Sequence, residues 1–582
     1  MSRHASEQTF RAFDGTELFY RHWPASGHAQ GAIVLFHRGH EHSGRMAHLV
    51  DELDLPDLDF YAWDARGHGR SPGARGHSPS FATSVRDVND FVAEVSRVSG
   101  HAIENIAVVA QSVGAVLAAT WLHDYAPKVR CAVLASPALK VKLYVPLARP
   151  GLTLMQKLRG NFVVKSYVKS KFLTHDPERI ASFDADELIT RDISVNILLE
   201  LYKAAERVVE DAQAITTPLQ LLISGSDFVV HHGPQHEFFN RLGSTVKERH
   251  VLPGFYHDTF GERDRAKAVA LARAFLTRRF AEPPVVVDLT QSHRTGPTRQ
   301  EADELATPLS PLSPRGLYWA ATRAGMRIGG ALSNGLKLGH ETGFDSGSTL
   351  DYVYRNTPDS SNPLGRLIDR NYLQSIGWRG IRQRKLHVEE LIREAMQKLR
   401  DAHQPVHVMD IAAGHGRYVL EALTNGIRPD SILLRDYSEL NVQQGSAMIR
   451  QKGLESIARF VQADAFDRDS LAAVTPRPTL AIVSGLYELF GDNDLVARSL
   501  AGVADAVPTG GYLVYTGQPW HPQLELIARA LTSHRGGEAW VMRRRSQGEM
   551  DQLVERAGFR KIAQRIDEWG IFTVSLAVRE GA

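Results

Sequence analysis

Short runs of β-branched and aromatic residues alternate with longer amphipathic stretches in two separate blocks of the chain. In the first block, from Glu17 to about Phe280, the apolar runs fall at 32–36, 60–63, 106–110, 131–135 and 219–223. Continuous apolar runs separated by amphipathic segments predict strands of a parallel sheet covered by helices. In the second block the runs fall at 406–409, 432–434, 459–461, 480–483 and 512–515, with a closing pair at 561–566 and 572–578. Both blocks therefore read as α/β. Between them the pattern dissolves into Glu282-Pro283-Pro284, Gly296-Pro297-Thr298 and a run from Pro308 to Pro314 that repeats proline, which predicts a stiff, poorly packed linker over 281–315. The expected organisation is one domain over 1–280, a helical or irregular extension over 316–404, and a second domain over 405–582, with no internal repeat.

Composition agrees with this division. At 582 residues the chain exceeds what one hydrophobic core usually supports. Hydrophobic residues at 43%, charged residues at 23% and a formal charge of +2 describe an ordinary globular protein, so nucleic acid is not an expected partner. The single cysteine, Cys131, lies in Cys131-Ala132-Val133-Leu134-Ala135 and reads as a buried strand residue, which leaves no disulfide within the chain. The segment from Met1 to Glu7 is polar, and no apolar stretch approaches the roughly 18 residues that cross a bilayer, so a cytoplasmic location is expected.

Ester hydrolysis at neutral pH needs an activated hydroxyl, a base, an acid that orients the base, and amide donors for the developing oxyanion. The run 106–110 passes through Gln111-Ser112-Val113-Gly114 into a helix-like stretch, which puts Ser112 at the apex of a strand-to-helix turn. Small residues two before and two after the serine, here Ala110 and Gly114, permit such a turn. Asp227 and His257 each follow an apolar run and stand in the order serine, acid, histidine that a triad on this kind of sheet requires. Singly, the three residues have plainer readings as a helix cap, a turn residue and a loop histidine; together they favour the triad.

His37-Arg38-Gly39-His40-Glu41-His42-Ser43-Gly44-Arg45, Asp64-Ala65-Arg66-Gly67-His68-Gly69-Arg70-Ser71 and Pro253-Gly254-Phe255-Tyr256-His257-Asp258 together resemble the monoacylglycerol lipase and lysophospholipase branch of the α/β-hydrolases, over about Phe10 to Phe280. The resemblance implies an α/β-hydrolase fold with a helical cap, a lipid-like ester substrate, and an oxyanion hole formed by the amides of Gly39 and Val113. Arg38 and His40 stand where that family prefers glycines, and Arg38 becomes a candidate for contact with an anionic head group. The spacing of His37, His40 and His42 matches no zinc pattern, so no metal is expected. The stretch from Asp64 to Ser71 reads as a structural turn. The cap is expected over about 138–211, and its part 139–173 carries eight Lys or Arg and no Asp or Glu. That basic, apolar stretch suits either peripheral contact with anionic lipid at the inner membrane face or a solvated helix covering the core.

The second block opens with Val408-Met409-Asp410-Ile411-Ala412-Ala413-Gly414-His415-Gly416-Arg417, a short glycine turn after the first strand. Such a turn lets backbone approach a nucleotide-like ligand. Val419 stands where a dinucleotide fingerprint would want a third glycine. Asp436 ends the second run, placed to meet ribose hydroxyls, and Asp464 follows the third. Three acids at successive strand ends beside this turn resemble the class I methyltransferases that use S-adenosylmethionine, a Rossmann-like fold closed by an antiparallel hairpin, over about Gln404 to Val578. The resemblance implies cofactor contacts from Asp410, Ala412, Gly414, Gly416, Asp436, Tyr437, Asp464, Ala465 and Ser484. Ser484-Gly485-Leu486-Tyr487-Glu488-Leu489-Phe490 and Tyr515-Thr516-Gly517-Gln518-Pro519-Trp520-His521-Pro522 resemble, more narrowly, a bacterial group of methyltransferases often joined to hydrolases. Tyr487, Glu488 and Trp520, with Gln518 and His521, are candidates to line the acceptor space, and the region 350–385 is expected to fold over it. The joint expectation is a bifunctional enzyme of lipid metabolism. The alternative is a catalytic methyltransferase whose hydrolase-like half only binds or docks lipid.

Overall fold

In the computed structural model, which describes residues 3–425 and 428–581, the chain divides into two units, Met1–Val287 and Asp288–Ala582. The first is built on an eight-stranded sheet in the order Ser6–Arg11, Glu17–Trp23, Leu58–Trp63, Gly31–Phe36, Ile106–Gln111, Cys131–Ala135, Leu219–Ser224 and Lys247–Leu252. Glu17–Trp23 joins both of its neighbours antiparallel, and every later pair is parallel. Each expected apolar run is a central strand, fully buried because helices cover both faces. The two edge strands carried no such run. Ser6–Arg11 buries only Phe10, and Lys247–Leu252 begins Lys-Glu-Arg-His, as edges that must resist pairing with other chains commonly do.

Helix Val113–Tyr125 starts directly behind Ser112 and is buried nearly all round. Its start presses on strand Gly31–Phe36, where a Cβ on Gly114 would lie 2.4 Å from the His37 carbonyl oxygen and 2.7 Å from that of Phe36. The chain leaves the sheet after Ala135 and forms a cap from helix Ala148–Arg159, the hairpin of Val163–Lys165 with Asp192–Ser194, and helix Pro177–Ala185. The last part of the stretch read as cap spans cap and body: Val195, Leu199 and Tyr202 pack with Leu152, Phe162 and Val164 of the cap, and the far end docks on the body. Helix Val195–Glu210 docks by Arg207 on Asp124 (2.8 Å), and beyond it Asp211 receives His123 (2.8 Å).

The second unit carries a seven-stranded sheet in the order Ala458–Gln462, Ser431–Asp436, His407–Asp410, Leu480–Val483, Tyr512–Gly517, Thr573–Arg579 and Phe559–Ile566. The first five strands are parallel, and the closing pair forms the antiparallel hairpin. His407–Asp410 has the second strand on one side and the fourth on the other, so strand order reverses there and opens a crevice at the carboxyl ends. Helix Ile376–Asp401 lays Val388, Leu391, Ile392, Ala395, Met396 and Leu399 against one face.

The region expected to be a stiff, poorly packed linker is largely helical from residue 292 on. Pro297 and Pro314 occupy the first turns of helices Pro297–Ala306 and Pro314–Gly330, where the missing N–H is unneeded and the fixed φ favours helix. Helix Pro297–Ala306 is held in the second unit by Arg529, which donates to the carbonyls of Glu304 (2.9 Å) and Thr307 (2.6 Å), and by the Glu301–Arg544 pair (2.7 Å).

The close approach at Gly114 has a direct consequence. Gly114→Ala drives a methyl into two backbone carbonyls and is expected to destabilise the first unit by about 1–3 kcal/mol. Thermal unfolding followed by circular dichroism checks it, and an unshifted transition would mean that the helix start retreats without penalty.

Candidate active sites

Ser112 ends the strand Ile106–Gln111 with φ 55° and ψ −116°, a conformation that residues with a Cβ adopt only when their surroundings force it. Its N–H donates to the Ala135 carbonyl (2.9 Å), and its own carbonyl accepts from Ala138 (3.1 Å) and Val116 (3.2 Å). The hydroxyl is thereby turned toward His257, whose Nε2 lies 2.7 Å from Ser112 Oγ. His257 Nδ1 lies 2.7 Å from Asp227 Oδ2. The other Asp227 oxygen accepts the amides of Val229 (2.6 Å) and Val230 (3.0 Å). Burial alone would raise the Asp227 carboxyl, but the imidazole and these two amides outweigh it and hold the acid below its ordinary range. An ionised acid on Nδ1 leaves Nε2 free to take a proton from the serine. Gly39 lies against Val113, with an imagined Cβ 3.2 Å from Val113 Cγ2. Val113 is the first residue of its helix, so its N–H has no acceptor within it. His40 adopts φ 72°, which is why a glycine suits that position.

Arg38 is engaged within the protein. Its guanidinium is buried, donates to Glu41 (2.8 Å), approaches Asp258 (3.7 Å) and lies over the Phe183 ring (5.2 Å). Burial of a charge is tolerable only with such partners, and they occupy the guanidinium that was expected to contact an anionic head group. Asp258 in turn accepts from Gln111 (2.9 Å) and Arg179 (3.2 Å), which ties the loop carrying His257 to the residue preceding Ser112. Burial raises its carboxyl, yet Arg38 and Arg179 together hold it far below the usual range. Glu41 and Asp258 stand within the motifs quoted above without an assigned role, and Arg179 carried no sequence signal. The histidines read as a non-metal set have separate engagements: His37 lies 2.8 Å from the Arg38 carbonyl, and His42 lies 3.0 Å from Asp186.

In the second unit a cavity of about 710 Å³ opens at the carboxyl ends of the strands, where their order reverses. Ala412, Gly414, Gly416, Asp436, Tyr437, Asp464, Ala465 and Ser484 all line it. Gly414 and Gly416 have φ of 56° and 75°, and a Cβ on Gly416 would strike Leu434 at 2.4 Å. Asp436 accepts from the Gly414 amide (2.9 Å), the Ser438 amide (2.9 Å) and Asn441 (3.0 Å). A carboxylate offers about four lone-pair sites, so capacity for a hydroxyl remains. The volume falls in the range of small-molecule sites. A carboxylate, a positive-φ glycine turn and a second strand-end acid suit a ligand with an amino-acid part, a ribose and a base, and S-adenosylmethionine fits that donor set. Helix Gly347–Arg355, from the segment before the sheet, closes one side through Asp351, which pairs with Arg417 (2.6 Å).

Three nominated residues lie elsewhere. Asp410 is fully buried beneath the turn, where Oδ1 accepts from Ala412 (3.1 Å), and does not line the cavity. Tyr487 is a core aromatic whose hydroxyl donates to Ser499 (3.0 Å). Trp520 packs half-buried against an aromatic cluster. Glu488, Gln518 and His521 instead line a second, apolar cavity together with Arg384, Trp378, Trp540 and Phe572. Arg384 and Trp378 come from the region 350–385 that was expected to fold over this space, whereas Trp540, from a loop after the fifth strand, carried no sequence signal.

These features define an α/β-hydrolase unit joined to a unit of Rossmann-like fold. Residues 27–264 match the model of serine aminopeptidase family S33, and residues 272–579, more than half of the chain, match that of a family described as "Putative methyltransferase". The chain belongs to this methyltransferase family, as a fusion with an S33-type hydrolase domain. It is 60% identical over 579 residues to the uncharacterized protein YnbC of Escherichia coli, covering 99% of each chain. It is 26% identical over 267 residues to the monoacylglycerol lipase of Mycolicibacterium smegmatis, covering 45% of this chain and 92% of that one. The solved monoacylglycerol lipase of Paleococcus ferrophilus is 23% identical, with a TM-score of 0.41 over 45% of this chain and 99% of its own.

Burial pushes the Asp410 carboxyl up to about 7 from 3.8. An unfolded carboxyl ionises near 3.8, so between those values the fold holds a proton that the unfolded chain releases, and stability falls as pH rises through the window. Asp410→Asn has no such titration. Its stability relative to the parent, measured by urea unfolding, is expected to increase steadily from pH 4 to pH 7; a difference independent of pH would contradict the assignment.

Proposed function

We propose that the first unit is a serine hydrolase of lipid-like carboxylic esters and the second a methyltransferase that uses S-adenosylmethionine, both serving lipid metabolism. The observation that carries the first half is the continuous relay of two 2.7 Å contacts from Ser112 through His257 to Asp227. Ser112 attacks the ester carbonyl while His257 takes its proton, Asp227 holds the imidazole in the required tautomer, and the amides of Gly39 and Val113 receive the oxyanion. His257 then returns the proton to the departing alcohol, and water repeats the cycle on the acyl-enzyme. The similarity to the Mycolicibacterium monoacylglycerol lipase supports a monoacylglycerol-like ester.

Contact with a lipid surface is supported by the cap. Helix Ala148–Arg159 and its approach expose Leu147, Leu154 and Leu158 beside Arg149, Lys157 and Arg159, a composition that suits an anionic bilayer from the cytoplasmic side. Among the described residues no helix is long and apolar enough to cross a membrane.

In the second unit the turn from Gly414 to Gly416 holds the methionine part, Asp436 the ribose, and Asp464 with Ala465 the adenine. Tyr437 and Ser484 complete the walls. Bound there, S-adenosylmethionine supplies an electrophilic methyl group on a sulfonium.

Two measurements test the proposal. A fluorophosphonate probe is expected to label the protein and to lose labelling on Ser112→Ala, with monoacylglycerol hydrolysis reduced at least about 10³-fold. Labelling that survives the substitution rejects the triad, and no labelling of the parent protein favours the docking alternative. Asp436→Ala is expected to weaken S-adenosylmethionine by about 5- to 150-fold in calorimetry, the equivalent of about 1–3 kcal/mol for a lost buried contact. Unchanged affinity rejects the ribose assignment.

A further inference from the structure

The apolar cavity beside the larger one has a volume of about 140 Å³ and shares Asp345, Leu350, Gly485 and Leu489 with it. Beyond that junction its walls are Trp378, Ile381, Trp540, Met542 and Phe572. A dry apolar cavity of about 150 Å³ holds one benzene, so this space matches a single ring and excludes an extended acyl chain.

Its few polar groups are unusual. Glu488 Oε1 accepts from Thr516 (2.7 Å), but Oε2 is buried with no donor. Gln518 Nε2 and Trp540 Nε1 are buried with no acceptor. Buried polar atoms left unpaired are rare in native interiors and mark places where a ligand completes the set. The missing partner therefore offers a donor to Glu488 and an acceptor to Gln518, which one hydroxyl does. Charge narrows the class further. Arg384 is buried 3.7 Å from Glu488, lies 5.0 Å from the Phe572 ring, and reaches Gly485 so closely that a Cβ there would meet its Nη2 at 3.0 Å. A fixed guanidinium at the junction opposes a cationic acceptor, and Glu488 opposes an anionic one. His521 is pushed down to about 3 by burial, with Arg544 adding to the effect, so it adds no charge; its Nδ1 accepts from the Gln523 amide (3.0 Å).

We propose that this cavity binds the methyl acceptor, a small neutral phenol, with Glu488 receiving its proton. The inference rests on reading the neighbouring cavity as the methyl-donor site. The phenol oxygen forms the new O–C bond, its proton passes to Glu488 Oε2, and the C–S bond of the sulfonium donor breaks with its electron pair left on sulfur.

Saturation-transfer NMR with phenol on the full chain loaded with S-adenosylhomocysteine tests the site, alongside calorimetry of S-adenosylmethionine. Phenol is expected to bind the parent protein and to bind at least tenfold more weakly to Met542→Trp, which fills the cavity. Glu488→Gln, which keeps the shape, is expected to retain donor affinity while methylation of phenol falls about 10²-fold. Donor binding without phenol binding overturns the acceptor site and leaves the donor reading intact, whereas absence of donor binding overturns the donor reading itself. Tighter binding of benzylamine than of phenol at neutral pH overturns the neutral class. Phenol that binds but is methylated equally by the Gln variant, or by neither protein, overturns the role of Glu488.

Discussion

A residue with a Cβ held at φ 55° costs on the order of 1–3 kcal/mol, and Ser112 persists there because everything around it is already committed. Strand Ile106–Gln111 is buried on both faces, helix Val113–Tyr125 is clamped onto two carbonyls at Gly114, and the Ser112 amide has its acceptor in the neighbouring strand. Relaxing the serine would require moving one of these. The direction of the hydroxyl, and through it the position of every partner in the first unit, follows from that packing.

The second unit solves a related problem with different means. Among the described residues that line its cavity no side-chain-bearing one has a positive φ; glycines at 414 and 416 take those angles, and the Asp436 carboxylate holds the turn by accepting the Gly414 amide. The group that anchors the loop is thus the same one proposed for the ribose. On that proposed assignment, recognition of the sugar would be coupled to the conformation of the glycine turn through one carboxylate.

The central strands of both sheets were legible because burial on both faces leaves an uninterrupted apolar run, as in Cys131–Ala135 and Leu480–Val483. The edge strand Lys247–Leu252 was not, since solvent on its open side admits charges. Proline misled in the other direction: Pro297 and Pro314 start helices where a break was expected. Ser112, Asp227 and His257 were nominated from their order and their strand-end positions, and the structure brings the three side chains together. The partners of Arg38 were not legible, because a basic residue in a glycine-rich loop says nothing of the acids awaiting it, Glu41 three residues on and Asp258 far along the chain. Likewise Arg384 meets Glu488 only through tertiary packing across more than a hundred residues.

The cap is fastened unequally. Helix Pro177–Ala185 is riveted to the layer under His257 by Arg179 on Asp258, and Arg45 reaches Ser182 from the other side. Helix Ala148–Arg159 buries none of its residues and meets the body mainly through the exposed pair of Arg149 with Glu206 and the contact of Leu152 with a small apolar cluster. The cap thus has one leaf bound to the layer beneath the proton relay and one leaf with few ties, so the contacts that hold the relay do not depend on where the outer helix lies.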